Sequence, residues 1–312
     1  MNQTNDWSGA GKLLAIFTLL MVITLYLPGF GLLLSLFLVA PVIIFTVKKD
    51  MKLAMSFLFI CILLSILVGG TLGLQLAVQY GVTGFTLGYC IKRQQTRLFT
   101  YFLGTVSFCV ALVINYVTII YLFNINLINN LMEQLSISME QANQMYLELG
   151  LIVNPIDIDG LVEMFTILTP TMFLITSAFI VFLLEVVNYP FVRKSLINVP
   201  KWLNFSTFML PKILFWYYLI VMLLAIIIPM QPGEMLYSVI SNFELVLQLL
   251  FYLQGISFIC FYAKQKNWNI IIPIIITIFS LLLPILMYLI RLLGIIDLGF
   301  ELRKLFIGKN KR

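Results

Sequence analysis

Two stretches of the chain, residues 13–47 and 53–91, contain no charged residue. They run to about 35 and about 39 residues, against the roughly 20 apolar residues a helix needs to cross the ~30 Å hydrocarbon layer of a bilayer. Inside lipid every backbone N–H and C=O must be satisfied within the fold, so segments of this kind form helices. Each run is broken near its middle, by Pro28-Gly29 in the first and by Gly69-Gly70 in the second. Such pairs end helices where a chain reverses, so each run reads as two short helices joined by a tight turn.

The remainder of the chain is similar. Hydrophobic residues make up 62% of it and charged residues 10%, against about 45–50% and about 25% in a soluble domain. Mean hydropathy is +1.06. Too little polar surface remains to cover a water-soluble globule, which excludes secreted, cytosolic and nucleic-acid-binding proteins. Further apolar segments cover residues 98–123, 164–187, 213–230, 245–263 and 270–290. The expected fold is all-α: one integral membrane domain over residues 1–312, a polytopic transmembrane helix bundle of about eight to ten hydrophobic helices. Residues 1–10 carry no Lys or Arg, so no cleavable leader is expected.

Charge in the connections orients the bundle. Lys48, Lys49 and Lys52, then Lys92, Arg93 and Arg97, then Arg193, Lys194, Lys201 and Lys212, then Lys264 and Lys266 fall on one side if the segments alternate. The intervening connections hold Glu133, Glu140, Glu148, Asp157, Asp159 and Glu163, and then Glu234 and Glu244. Lys and Arg concentrate in cytoplasmic loops, so the basic side is cytoplasmic and the acidic connection 124–163 is extracytoplasmic. The basic tail, residues 301–312, conflicts with a single span after Lys266. A further break at Pro284 returns that tail to the cytoplasm, so both termini are expected there in a bacterial cell membrane. The net charge of +6 suits anionic lipid headgroups and needs no nucleic-acid partner.

The chain has no histidine, which removes the commonest general base and metal ligand. Cys61, Cys90, Cys109 and Cys260 are scattered singly through apolar runs, without the spacing of a metal or redox site. No phosphate-binding Gly-rich loop is present. The reading is a non-enzyme without cofactor or metal.

Several patterns lie inside the apolar segments. Gly73, Ala77, Gly81, Gly84 and Gly88 form one small-residue helix face, suited to close helix packing in the bundle or to docking a partner subunit. Ser241, Glu244, Gln248 and Gly255 share a face, with Gln254 beside it, and Thr171, Ala178, Glu185 and Asn188 share another. Glu185 is interior to its segment, and an intramembrane ionisable group is a functional candidate; the alternative is a place near the cytoplasmic interface, paired with a basic residue or hydrated. Asn115 and Tyr116 serve either as ligand hydrogen-bonding groups or as interhelical glue. Trp202, Trp216 and Trp268 suit the cytoplasmic interface. Residues 127–149 repeat their apolar positions at helical spacing, as an amphipathic helix that lies on the outer leaflet, covers a cavity or meets another protein.

The stretch from Trp202 to Leu210-Pro211, the Gln254-Gly255 pair followed by Lys264 and Lys266, and the terminal Gly294-Ile-Ile-Asp297-Leu-Gly-Phe300-Glu301-Leu-Arg303 resemble the YybS-like bacterial membrane proteins over nearly the full length. That family is distantly similar to the substrate-binding subunits of energy-coupling-factor vitamin transporters. The resemblance implies a small-molecule-binding or transport subunit, an energising transmembrane subunit with ATPases as partner, and a small-molecule ligand. Asn115, Tyr116, Glu185, Glu244, Gln248 and Gln254 are the candidate ligand-binding residues. In the transporter subunits an early Ala-x-x-x-Ala docks the energising partner; the nearest early counterpart here is Gly11-x-x-x-Ala15. The alternative reading is a membrane scaffold or signalling partner in the envelope that uses the glycine face and the acidic helix.

Overall fold

The computed structural model describes residues 3–27, 29–123, 127–149, 158–201, 204–231 and 233–309. Pro28, parts of the 124–163 connection, Trp202 and the last residues of the basic tail lie outside the described residues. The described residues form an all-α bundle with 6 helices long and apolar enough to cross a membrane, and two shorter apolar helices, Ile213–Ile227 and Ile271–Leu282. Two compact units divide the chain. Unit 1 takes Met1–Ile156 and Met172–Lys201, and unit 2 takes Asp157–Thr171 and Trp202–Arg312.

Unit 1 begins with α1 (Gln3–Tyr26). The chain then turns through Gly29, whose φ of 85° lies in the left-handed region that glycine tolerates. It returns as α2 (Gly31–Ser35), a 3₁₀ turn over Leu36–Leu38 and α3 (Val39–Lys48). Helix α4 (Met51–Lys92) is a hairpin in itself, since Gly70 interrupts it with φ 58° and ψ −131°. Past that break the two limbs run back along each other: a Cβ at Gly73 would lie 2.0 Å from the Ser65 carbonyl oxygen, and one at Gly81 2.7 Å from Leu58. Both early runs therefore fold as the broken hairpins their glycines predict. Helix α5 (Arg97–Phe123) follows, then α6 (Leu127–Glu148).

Helix α7 (Ile158–Lys194) starts before the apolar run that begins at residue 164. Glu163 thus stands within the helix rather than in the connection before it. The unit 1 core joins Val39, Ile43, Leu87, Phe108, Val181 and Leu184 in one cluster, and Phe17, Met21, Val42, Phe45, Phe57 and Ala77 in a second. Phe45 stacks on Phe57 with ring centroids 4.1 Å apart. The four cysteines are free, and Cys61 and Cys90 are buried.

Unit 2 contains α8 (Ile213–Ile227), α9 (Met235–Gln265), α10 (Ile271–Leu282), α11 (Pro284–Phe300) and α12 (Leu302–Lys309). Pro284 opens α11, a position where its missing N–H is harmless, and Leu283 before it is extended. The break reverses the chain. Contacts from α10 to α9 run in opposite senses, Tyr252 with Ser280 and Cys260 near Ile270. Those from α11 and α12 advance together with α9, Gln254 to Asp297, Ser257 to Arg303 and Tyr262 to Phe306. So α10 and α11 form the further hairpin that Pro284 predicts. Helices α9 and α11 meet backbone to backbone, for a Cβ at Gly255 would lie 2.0 Å from the Ile290 carbonyl oxygen and one at Gly294 2.0 Å from that of Phe251.

Candidate functional site

Unit 1 holds a pocket of about 530 Å³ among α1, α4, α5 and α7, within the roughly 300–1,000 Å³ of small-molecule sites. Its wall is largely aliphatic and aromatic, with Leu25, Leu76, Leu112 and Phe173 among the lining residues. Against that wall stand three amides. Gln75 and Gln79 occur one turn apart on the second limb of α4, and Asn115 faces them from α5. Asn115 Nδ2 donates to the Gln75 carbonyl at 3.1 Å and to Gln79 Oε1 at 2.9 Å. Gln79 Nε2 donates to the Phe108 carbonyl at 2.9 Å. Gln75 Nε2 is buried without a hydrogen-bond partner among the described residues. A buried amide N–H₂ left unpaired costs about 1–3 kcal/mol. Tyr80 accepts from Ser35 Oγ at 2.9 Å, and Tyr116 meets Phe173 edge to face, so two phenols complete the lining.

Glu185 lies elsewhere in unit 1. It is fully buried; Arg97 Nε donates to its Oε2 at 2.8 Å and Tyr189 Oη to its Oε1 at 3.0 Å. The Arg97 guanidinium sits 4.0 Å from the Tyr189 ring centroid and donates to the Pro200 carbonyl. Of the two roles open to Glu185, the geometry matches the paired one. Arg97 belongs to this buried pair rather than to an open basic loop, because a carboxylate that deep requires a cation. Its neighbour on the helix, Asn188, donates to the carbonyls of Leu36 and Leu184, both at 2.8 Å. Basic connections also meet in unit 1, where Lys92 Nζ donates to the Lys49 carbonyl.

Unit 2 repeats the ionic arrangement. Asp297 is fully buried, accepting at Oδ2 from Arg303 Nε at 3.0 Å and from Gln254 Nε2 at 2.6 Å. Arg303 donates in turn to the Ser206 carbonyl and Ser257 Oγ. Gln254 Oε1 accepts the Leu210 N–H. Gln254 is thereby committed to internal partners, and it anchors the segment that precedes α8. Glu244 and Gln248 line a separate pocket of about 220 Å³ with Tyr237 and Ser241, and Gln248 Nε2 donates to Glu244 Oε1 at 2.8 Å. Asn242 ties α9 to the start of α7, accepting from Thr171 Oγ1 at 2.6 Å and donating to the Ile167 carbonyl.

The glycine face is occupied by the chain itself. Gly84 backs onto Val39 and Val42, Gly88 onto Ile43 and Thr46, and Gly73 onto Ser65; Ala77 is fully buried. The face packs α4 against α3 and against its own first limb.

The family model for predicted membrane proteins known as DUF2232 matches residues 15–298. The chain belongs to this family. Among its relatives, the uncharacterized protein YybS of Bacillus subtilis strain 168 is 27% identical over 313 aligned residues, covering 97% of this chain and 99% of that one. No solved structure matches. Gln75, Gln79 and Tyr80, which complete the DUF2232 chain's amide pocket, did not emerge as site residues from the sequence; two glutamines at i and i+4 inside an uncharged run were the available signal. Asp297 and Arg303 were masked by their place beside the basic tail.

Proposed function

We propose that the protein binds a small, uncharged, hydrogen-bonding molecule in the amide pocket of unit 1, as a binding or transport subunit of a bacterial cell membrane. One observation carries this reading: Gln75 Nε2 stands buried and without a partner among the described residues, beside Asn115 and Gln79 in a pocket of about 530 Å³ walled by membrane-spanning helices. A pocket with apolar walls and a few convergent polar groups is the usual form of a small-molecule site. Neutral amides and phenols favour a neutral polar ligand, since a charged one would be desolvated without a counter-ion. Without a phosphate-binding loop, ATP-driven movement of the ligand requires an energising subunit with ATPases. The basic connections face the cytoplasm in this reading, with both termini, and residues 124–163 face outward.

The test is purification from native membranes in a mild detergent, with mass spectrometry of everything that co-purifies, for wild type and for Asn115→Leu with Gln75→Leu. A stoichiometric metabolite held by wild type and lost from the variant is the expected result. A metabolite retained equally by both, or none in wild type, overturns the proposal. The scaffold reading draws on α6, where Ile137, Met145, Tyr146 and Leu147 are exposed. Recovery of envelope proteins through α6, without a metabolite, would favour it.

A further inference from the structure

Arg291 stands on α11, whose neighbouring α9 is a candidate span. It lines a pocket of about 240 Å³ together with Gln248, Tyr252, Tyr288 and the aliphatic wall of Leu245, Leu249, Pro284 and Met287. Gln248 lies about 20 Å along α9 from Met235 and about 26 Å from Gln265, at 1.5 Å per residue, so the pocket sits near mid-height of a membrane-spanning helix.

Within the apolar helices and at their ends, the arginines of the two buried ion pairs are neutralised, Arg97 by Glu185 and Arg303 by Asp297. Arg291 makes no ion pair and no hydrogen bond among the described residues, and its Nε is buried without a partner. Its contact is the Tyr288 ring, 4.9 Å from the guanidinium carbon. Glu244 on α9 accepts from Gln248 Nε2 at one oxygen and keeps its charge, and it makes no ion pair with Arg291 among the described residues. A guanidinium at that depth is costly unless something pairs with it, and its fork of N–H donors fits the two oxygens of a carboxylate or phosphate.

We infer that this pocket of unit 2 is an oxyanion site, in which Arg291 takes the carboxylate or phosphate of an amphipathic molecule and the Leu245, Leu249, Pro284 and Met287 wall takes its hydrocarbon part. Tyr288, one of the lining residues, is itself exposed, which leaves the occupant a route in from the lipid. The shared chemistry is one oxyanion on an aliphatic body, from a free fatty acid or from an anionic phospholipid.

The experiment measures thermal unfolding of the full-length protein in dodecyl maltoside. Sodium dodecanoate, phosphatidylglycerol and inorganic phosphate are added in turn, with sodium chloride at matched ionic strength and dodecyltrimethylammonium as the cationic control. Wild type is expected to gain several degrees with dodecanoate, with phosphatidylglycerol or with both, and none beyond the salt control with inorganic phosphate. A response to dodecanoate alone assigns the free acid, and a response to phosphatidylglycerol alone assigns the lipid. Arg291→Gln should lose the gain, Arg291→Lys should keep part of it, and Leu67→Ala, at an exposed position of the other unit, should keep all of it. Leu249→Phe narrows the pocket and leaves the arginine in place, so it carries the test if Arg291→Gln does not fold. No gain in wild type with either amphipathic anion overturns the inference, as does an equal gain in wild type and both pocket variants, or an equal gain from the cationic control.

Discussion

Arg97 and Glu185 are 88 positions apart in the chain, yet Arg97 Nε stands 2.8 Å from Glu185 Oε2, with their side chains 4% and 0% exposed. The pair joins the start of α5 to the last turns of α7. Removing one partner strands the other as an uncompensated buried charge, at about 3–5 kcal/mol. Glu185→Leu and Arg97→Leu should each lower the unfolding midpoint sharply in detergent. The double variant Arg97→Leu with Glu185→Leu should lose less than the two singles together. Strictly additive losses in that double-mutant cycle would show that the pair is not coupled.

Close helix packing gives a second contrast. At Gly255 a methyl group would collide with the Ile290 carbonyl oxygen at 2.0 Å, whereas at Gly11 nothing lies within 4 Å. Gly255→Ala has to push α9 from α11, and overpacking of this kind costs about 1–3 kcal/mol or more. Gly11→Ala gains up to about 1 kcal/mol of helix propensity. Thermal unfolding of the two variants should therefore move in opposite directions, and a Gly255→Ala protein as stable as wild type would contradict the observed approach.

In the amide pocket, Gln75→Leu removes an unpaired donor while Asn115→Leu strips the Gln79 oxygen of its partner. Without ligand, Gln75→Leu should be neutral or stabilising and Asn115→Leu destabilising by about 1–2 kcal/mol. Both should weaken retention of a bound metabolite. The measurement is unfolding of metabolite-free protein alongside mass spectrometry of the purified form; equal stability effects would place the two amides in equivalent surroundings.

Sidedness is open to direct labelling. In a background with Cys61, Cys90, Cys109 and Cys260 replaced, single cysteines at Lys49, Gln94 and Lys266 should react with an impermeant maleimide only after the membrane is opened. A cysteine at Glu140 should react in intact cells. The reverse pattern would invert the orientation.

Much of the architecture was legible because lipid imposes few choices. The uncharged runs dictated helices, and Gly29, Gly70 and Pro284 marked the reversals, since each residue either permits a backbone angle others resist or withholds an N–H. The glycine face was legible as a packing surface, but whether it met its own chain or another depended on where α3 came to lie. The polar sites were less readable. Asn115 and Tyr116 could be found by being polar in an apolar segment, yet Gln75 and Gln79, the partners of Asn115, become a site only once α4 and α5 are side by side. Charge counting also hid the two buried pairs. Arg97, Asp297 and Arg303 fall at the edges of apolar segments, where sequence alone assigns them to water, and tertiary contact takes them inside.

The sequence separation of Arg97 and Glu185 also sets a timetable for assembly. A ribosome adding about 5–20 residues per second needs roughly 4–18 s to make the 88 positions between them. Through that interval the guanidinium has no carboxylate to enter the bundle with. The start of α5 is therefore expected to rest at the headgroup level, its arginine reaching to water, and to sink only when α7 arrives. Asp297 and Arg303, 6 positions apart, face no such delay. An insertion intermediate stalled between the two events should expose Arg97 to solvent and have α7 still outside the unit it completes.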